Sequence, residues 1–121
     1  MKGPLKVTVV EAKNLKDEDV LGKSDPYVEL WLDKNYKQKT TTKTNTLNPQ
    51  YNETFTFHCD GHRHLHLRVV DKDMMSDDEI GTGQVNLSDI KNGFAEVWVK
   101  LPKMLGLMSN GEVFLRLETA A

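Results

Sequence analysis

The sequence of 121 residues predicts an all-β fold, an antiparallel sandwich. Three observations carry that expectation. Apolar and polar residues alternate with period two along most of the chain, a 3.6-residue periodicity is nearly absent, and turn-forming pairs punctuate the alternating runs. Successive side chains of a strand point to opposite faces, so this pattern gives each strand one buried face and one solvated face.

The runs follow in order. Leu5, Val7 and Val9 alternate with Lys6 and Thr8, and Val28, Leu30 and Leu32 with Tyr27, Glu29 and Trp31. Lys37 to Thr44 is polar and threonine-rich, the pattern of a strand with at least one wet face. Thr54 to His58 sets Phe55 and Phe57 on one side, and Leu65, Leu67 and Val69 alternate with His64, His66 and Arg68. Ile80 to Leu87, Ala95 to Leu101, and Val113, Leu115 and Leu117 against Phe114, Arg116 and Glu118 bring the total to about eight strands at sandwich spacing. Ser24-Asp25-Pro26, Asn48-Pro49, Asp60-Gly61, Asn92-Gly93 and Asn110-Gly111 separate them. Lys103 to Ser109 is the one segment where a short helical turn is expected.

Composition narrows the function classes. The length suits a single domain over residues 1–121, able to build a core without disulfides. A net charge of −2 gives no global field toward nucleic acid or membrane, so the distribution of charge matters more than its sum. Cys59 is the only cysteine, which excludes an internal disulfide framework and suits a reducing compartment. No Gly-rich elbow or matched base accompanies it as a nucleophile. The opening MKGPLKVTVV is too short and charged for a signal peptide, and no apolar run approaches the roughly 18 to 20 residues of a membrane span. A cytoplasmic location is expected.

The acids are concentrated. Three long inter-strand segments, near 14–26, 45–53 and 71–79, are expected at the same end of the sandwich. The first carries Asp17, Glu18, Asp19 and Asp25, and the third Asp71, Asp73, Asp77, Asp78 and Glu79. Nine of the eighteen acidic residues therefore lie in two loops, a repulsive arrangement unless a cation answers it. Hard oxygen donors in that number suit Ca²⁺. Asp71 and Asp73 have the D-x-D spacing that sends both carboxylates the same way from a strand end. An acidic loop that binds nothing is the plainer alternative. An EF-hand is excluded, because Met75, Ser76 and Thr82 stand where that motif needs a ligand, a glycine and a glutamate.

The runs EAKNLKDEDVLGKSDPYVELWL, TLNPQYNETFTF and LHLRVVDKDMMSDDEIG, in that order and at these spacings, resemble a C2 domain over nearly the whole chain. The resemblance implies an eight-stranded antiparallel Greek-key sandwich whose loops at one end bind Ca²⁺ and dock on phospholipid. It places first-loop ligands on Asp19 and Asp25 and third-loop ligands on Asp71 and Asp73. For the last ligand, counting forward from Asp73 gives Glu79 and counting back from Gly81 gives Asp78. Asp78 is favoured, because Ile80-Gly81 is expected to fix the start of the next strand. The loop is one residue shorter than the commonest pattern and resembles that of extended-synaptotagmin-like C2 domains. A strand leading directly into the first loop, with a final strand at Glu112 to Thr119, resembles the type II topology.

Apolar residues stand among these acids. Val20 and Leu21 follow Asp19, and Met74 and Met75 separate Asp73 from Asp77. Such tips are expected to enter the headgroup boundary of an anionic phospholipid membrane once calcium neutralises the acidic rim, each contributing about 1–2 kcal/mol of apolar burial. Folding back to cap the sandwich is the alternative for Val20 and Leu21, whereas adjacent Met74 and Met75 are not both expected to turn inward.

Lys37, Lys39 and Lys43 resemble the family's lysine cluster for phosphoinositide headgroups, but Glu29 stands where such members tend to carry lysine. A solvated face with edge-protecting lysines takes precedence, with an auxiliary anionic-headgroup site as the alternative. His58, His62, His64 and His66 straddle a turn without an acid partner and are expected on the surface rather than on zinc. The leading functional expectation is a non-catalytic module binding membranes in a Ca²⁺-dependent way. A protein-interaction or scaffolding role, through exposed Trp31 and Tyr27 or an edge strand, is the alternative. Acid–base catalysis is disfavoured, because the paired carboxylates sit at ligand spacing and not in a pocket.

Overall fold

A computed structural model describes residues 1–17, 23–103, 106 and 108–119. The eight strands are β1 (Lys2–Lys13), β2 (Pro26–Trp31), β3 (Lys37–Lys39), β4 (Gln50–Asp60), β5 (His64–Asp71), β6 (Asp78–Asn86), β7 (Phe94–Lys103) and β8 (Met108–Thr119). They form two antiparallel four-stranded sheets in the orders β4-β1-β8-β7 and β3-β2-β5-β6. β8 inserts between β1 and β7, as the expected type II order requires.

The alternation that predicts the strands also builds the core. Leu5, Val7 and Val9 of one sheet and Val28, Leu30, Leu65, Leu67 and Val69 of the other have no exposed surface. Each such side chain contributes about 1.5–3 kcal/mol of burial. The sandwich is drawn tight along the β6–β7 side because β6 carries glycines there. A Cβ on Gly83 would lie 2.7 Å from Val99 Cγ1, and one on Gly81 would lie 2.9 Å from Leu101 Cβ.

Several boundaries depart from the sequence expectation. The polar run at 37–44 pairs only over Lys37–Lys39, because beyond it Thr40 and Lys43 give their amides to Val28 and Pro26 carbonyls outside the regular ladder. β4 begins at Gln50, so the loop before it ends earlier than expected. Lys103 belongs to β7 and Met108 and Ser109 to β8, with a turn at Gly106; Met104, Leu105 and Leu107 of the expected helical turn lie outside the described residues. The regular helix among the described residues is instead a single 3₁₀ turn, Leu87–Asp89, capped by the Asn86 side chain accepting from the Ser88 amide.

Candidate functional site: an acidic loop cluster at one end of the sandwich

β5 ends on Asp71, and its position decides its environment. Asp71 pairs with Pro26 of β2 on one side and with Asp78 of β6 on the other, which buries it to 1% exposure. Asp71 Oδ1 accepts the Asp25 amide at 2.8 Å, and the Lys72 amide donates to the Asp25 carbonyl at 2.9 Å. The first and third loops are thereby joined backbone to side chain. The other oxygen, Asp71 Oδ2, is buried and has no hydrogen-bond partner among the described residues. A buried carboxylate oxygen left so costs about 1–3 kcal/mol or more.

The loop between β3 and β4 is the third part of this end. The Asn45 amide donates to Asp25 Oδ1 at 2.6 Å, and Asn45 Oδ1 accepts the Lys23 amide at 2.9 Å. The Thr46 amide adds a bond to the Ser24 carbonyl at 2.8 Å, and the Leu15 amide one to Leu47 at 3.1 Å. Convergence of the three loops is thus written in specific bonds.

The remaining acids divide. Asp73 Oδ1 accepts the neighbouring Met74 amide at 2.6 Å. Asp77 spends both oxygens inside the protein: Oδ2 accepts the Tyr27 hydroxyl at 2.8 Å and Oδ1 accepts the Asp73 amide at 3.3 Å. The Tyr27 hydroxyl, and next the Asp73 amide, hold the Asp77 carboxyl below its ordinary range. Burial first, and then the bond to Asp77, push Tyr27 up to about 12. Glu79 pairs with Arg68 Nε at 2.9 Å, and Arg68 Nη1 reaches Glu29 at 3.0 Å. Asp78 opens β6 directly opposite Asp71. β6 does not start at Ile80-Gly81, as expected, but at Asp78, with Ile80 forming a bulge between the pairs Val69–Gly81 and Val70–Glu79. Among the described residues, no three acids, histidines or cysteines close around one point tightly enough to enclose an ion.

Asp19, Val20 and Leu21 lie outside the described residues. Met74 and Met75 are exposed to 99% and 94%, so neither folds back onto the sandwich. The lysines do not form one row. Lys37 lies over the Trp31 ring at 4.6 Å and Lys39 over the Tyr27 ring at 5.4 Å, whereas Lys43 stands in the irregular stretch after β3. Tyr27, expected to be exposed, is buried under these contacts. Trp31 is half-buried and stacks on His66 at 5.7 Å, and burial, then His64 and Lys34, lower the His66 pKa. His62 faces Asp33 at 3.1 Å. Cys59 is buried in the core, which raises its thiol pKa. No helix among the described residues is long and apolar enough to cross a membrane.

Two residues of this end escape sequence reasoning: Tyr27 and Asn45. Their partners, Asp77 and Asp25, stand 50 and 20 residues away. The asparagine gives the one available signal, since it takes a left-handed φ of 54° that asparagine tolerates better than most residues.

The C2 domain family model matches residues 3–101. A calcium-dependent lipid-binding protein of Arabidopsis thaliana is 37% identical over 76% of the chain, and synaptotagmin-5 of the same organism is 36% identical over 95%. The chain spans only 18% and 22% of those two relatives. Among solved structures, a single C2 domain of plant extended synaptotagmin 1 superposes with a TM-score of 0.86 at 27% identity, covering 98% of this chain and 96% of that one. The calcium-bound pair of C2 domains from extended synaptotagmin 2 gives 0.83 at 28% identity, covering 98% and 45%.

Proposed function

The chain belongs to the C2 domain family, and from that premise we propose that residues 1–121 act as one non-catalytic module that binds anionic phospholipid membranes when calcium is present. A single observation carries the reading: Asp71 Oδ2 is buried, without a hydrogen-bond partner among the described residues, and its carboxylate meets Asp25 where the loops join. An ionised carboxylate oxygen persists in such a place at a cost, and a hard divalent cation offsets that cost. Asp25, Asp71, Asp73 and Asp78 are the described residues that would hold it, with Asp19 supplied from the preceding loop.

Calcium bound there supplies positive charge against the acidic rim and accepts phosphate oxygens in its coordination. The rest falls to the chain. Asn45 and Asp71 fix Asp25 in place through the two bonds to its carboxylate and amide. Met74 and Met75, standing clear of the sandwich, enter the headgroup region once the rim no longer repels it. Lys37 and Lys39 add a secondary attraction for anionic headgroups, phosphoinositide included, limited by Glu29 and Glu79 around Arg68.

The test is co-sedimentation with neutral, phosphatidylserine-containing and phosphoinositide-containing vesicles, in calcium and in chelator, for the natural chain and Asp71→Asn. The natural chain is expected to sediment with anionic vesicles only in calcium. Asp71→Asn keeps an acceptor for the Asp25 amide but loses the ionic oxygen, so it is expected to stay in solution while remaining folded. Equal sedimentation in calcium and chelator would remove calcium from the reading. No sedimentation in either would transfer the function to a protein partner.

A further inference from the structure

The loop between β5 and β6, residues 72–77, is exposed and carries Asp73 and Asp77, with Asp71 and Asp78 on the strands at its two ends. Its first residue gives the Lys72 amide to the Asp25 carbonyl, and a side-chain contact ties its last residue to a strand. Tyr27 sits on β2 and is buried to 6% exposure, with the Lys39 ammonium 5.4 Å above its ring. Its hydroxyl emerges at the loop and donates to Asp77 Oδ2 at 2.8 Å. The other oxygen of Asp77 closes the loop on itself by accepting the Asp73 amide. The chain of contacts thus runs from a strand, through a fixed phenol, through one carboxylate, to the backbone beside Asp71.

Building on the calcium reading above, we infer that Tyr27 is a positioning residue of the third loop: through Asp77 it fixes the turn between Asp73 and Asp77 and so sets the affinity of the loop cluster for calcium. The geometry favours this role for three reasons. The donor belongs to a strand, not to the loop, so the bond transfers the rigidity of the sheet. Both oxygens of Asp77 are used, which pins its direction as well as its position. The phenol also withdraws part of the charge that Asp77 would otherwise add to a repulsive rim. Asp77 is not itself one of the acids that would hold calcium, so the effect passes through the Asp73 amide. Loss of a direct partner of a ligand weakens metal affinity about 10- to 100-fold, and a contact one step further out stands at the low end of that range.

The test compares Tyr27→Phe, Asp77→Asn, Asp77→Ala and the double variant Tyr27→Phe/Asp77→Ala in the full chain. Two quantities are read: backbone ¹⁵N order parameters of residues 72–78 in chelator, and calcium affinity by calorimetry. Tyr27→Phe keeps the ring under Lys39 and is expected to lower the order of the Asp73–Asp77 turn without touching the strands. Calcium affinity should fall roughly 10-fold with it. Asp77→Asn retains one oxygen for the Tyr27 hydroxyl, but its NH2 cannot accept the Asp73 amide, so it should keep the tie to β2 and more of the turn's order than Asp77→Ala. Asp77→Ala removes the Asp73 bond as well and should loosen the turn at least as much as Tyr27→Phe, and the double variant should loosen it no further than Asp77→Ala, because Tyr27 acts through Asp77. Should Tyr27→Phe fail to fold, the exposed Asp77→Ala carries the same comparison.

A turn as rigid in Tyr27→Phe as in the natural chain overturns the inference, and so does a loosened turn with unchanged calcium affinity. The two readings fail differently. Absence of calcium binding by the natural chain removes the calcium reading together with Tyr27's effect on affinity, while the order parameters still decide whether Tyr27 positions the loop.

Discussion

The Asn45 amide donates to Asp25 Oδ1 at 2.6 Å, while Asn45 Oδ1 accepts the Lys23 amide from the same loop. One residue of the β3–β4 loop therefore holds the segment before β2 at two points, and does so at a φ of 54°. Asn45→Gly frees the backbone but removes the side-chain acceptor, and is expected to lower stability by about 0.5–1.5 kcal/mol. Asn45→Ala loses the same bond and adds the left-handed cost of about 1–2 kcal/mol. Urea unfolding should rank the natural chain above glycine and glycine above alanine, and calcium affinity should follow that order.

Met74 and Met75 stand almost wholly in solvent, so their replacement costs the fold little. Met74→Ser/Met75→Ser should leave the unfolding midpoint and the calcium affinity in solution unchanged. Each methionine is worth about 1–2 kcal/mol at a lipid surface, so affinity for phosphatidylserine vesicles in calcium should fall by about 5- to 30-fold per side chain. Equal vesicle affinity for variant and natural chain would limit membrane attachment to electrostatics and phosphate contacts.

Tyr51 links the sheets near this end, donating its hydroxyl to the Pro26 carbonyl at 2.6 Å from a buried position. Burial pushes its phenol well above the usual tyrosine value. The unfolded chain releases that proton near pH 10, whereas the folded chain retains it. The stability Tyr51 contributes is therefore fully present below about pH 10 and is lost as pH rises toward its folded value. Tyr27, raised to about 12, acts with the same sign. Tyr51→Phe should cost about 0.5–1.5 kcal/mol at neutral pH and give a shallower decline in alkali, followed by denaturant melts between pH 8 and 11.

Gly83 is where the sandwich closes along β6 and β7. Gly83→Ala drives a methyl to 2.7 Å from Val99 Cγ1 and 3.2 Å from the Lys100 carbonyl, in a strand interior with little room to yield. A loss of about 1–3 kcal/mol is expected. Gly61, in a turn with φ of 83° and open space around it, serves as the comparison. Gly61→Ala pays only backbone strain of about 1–2 kcal/mol. Calorimetric melting of the two variants separates crowding from strain, since only Gly83→Ala should recover on adding Val99→Ala.

Much of this protein is legible in its sequence because alternation is a local property. Val7 and Val9, or Leu65 and Leu67, announce their buried face within a few residues, and each such side chain is fully buried. Asp25 directly precedes β2 and Asp71 ends β5, and the two do meet, while Asp73 lies in the loop beyond β5. The extent of β3, the early start of β6 and the bulge at Ile80 are not legible, because pairing depends on which neighbour a backbone finds. The lysines after Tyr36 read as one strand, yet Thr40 and Lys43 are drawn instead to the carbonyls of Val28 and Pro26.

The sequence alone determined the class of fold, its inward faces and the crowding of carboxylates into two loops, since composition and period act over neighbouring residues. Only the tertiary structure decided how those carboxylates are employed. Tyr27 meets Asp77 across 50 residues and Arg68 meets Glu79 across 11, as the register of β2, β5 and β6 dictates. Glu79 is held by Arg68 and Asp77 by Tyr27, whereas Asp71 Oδ2 is buried with no hydrogen-bond partner among the described residues. Hydrogen bonds and ion pairs reach only about 3 Å, so which acid is spent within the protein and which is not is settled by strand register, which no single stretch of chain contains.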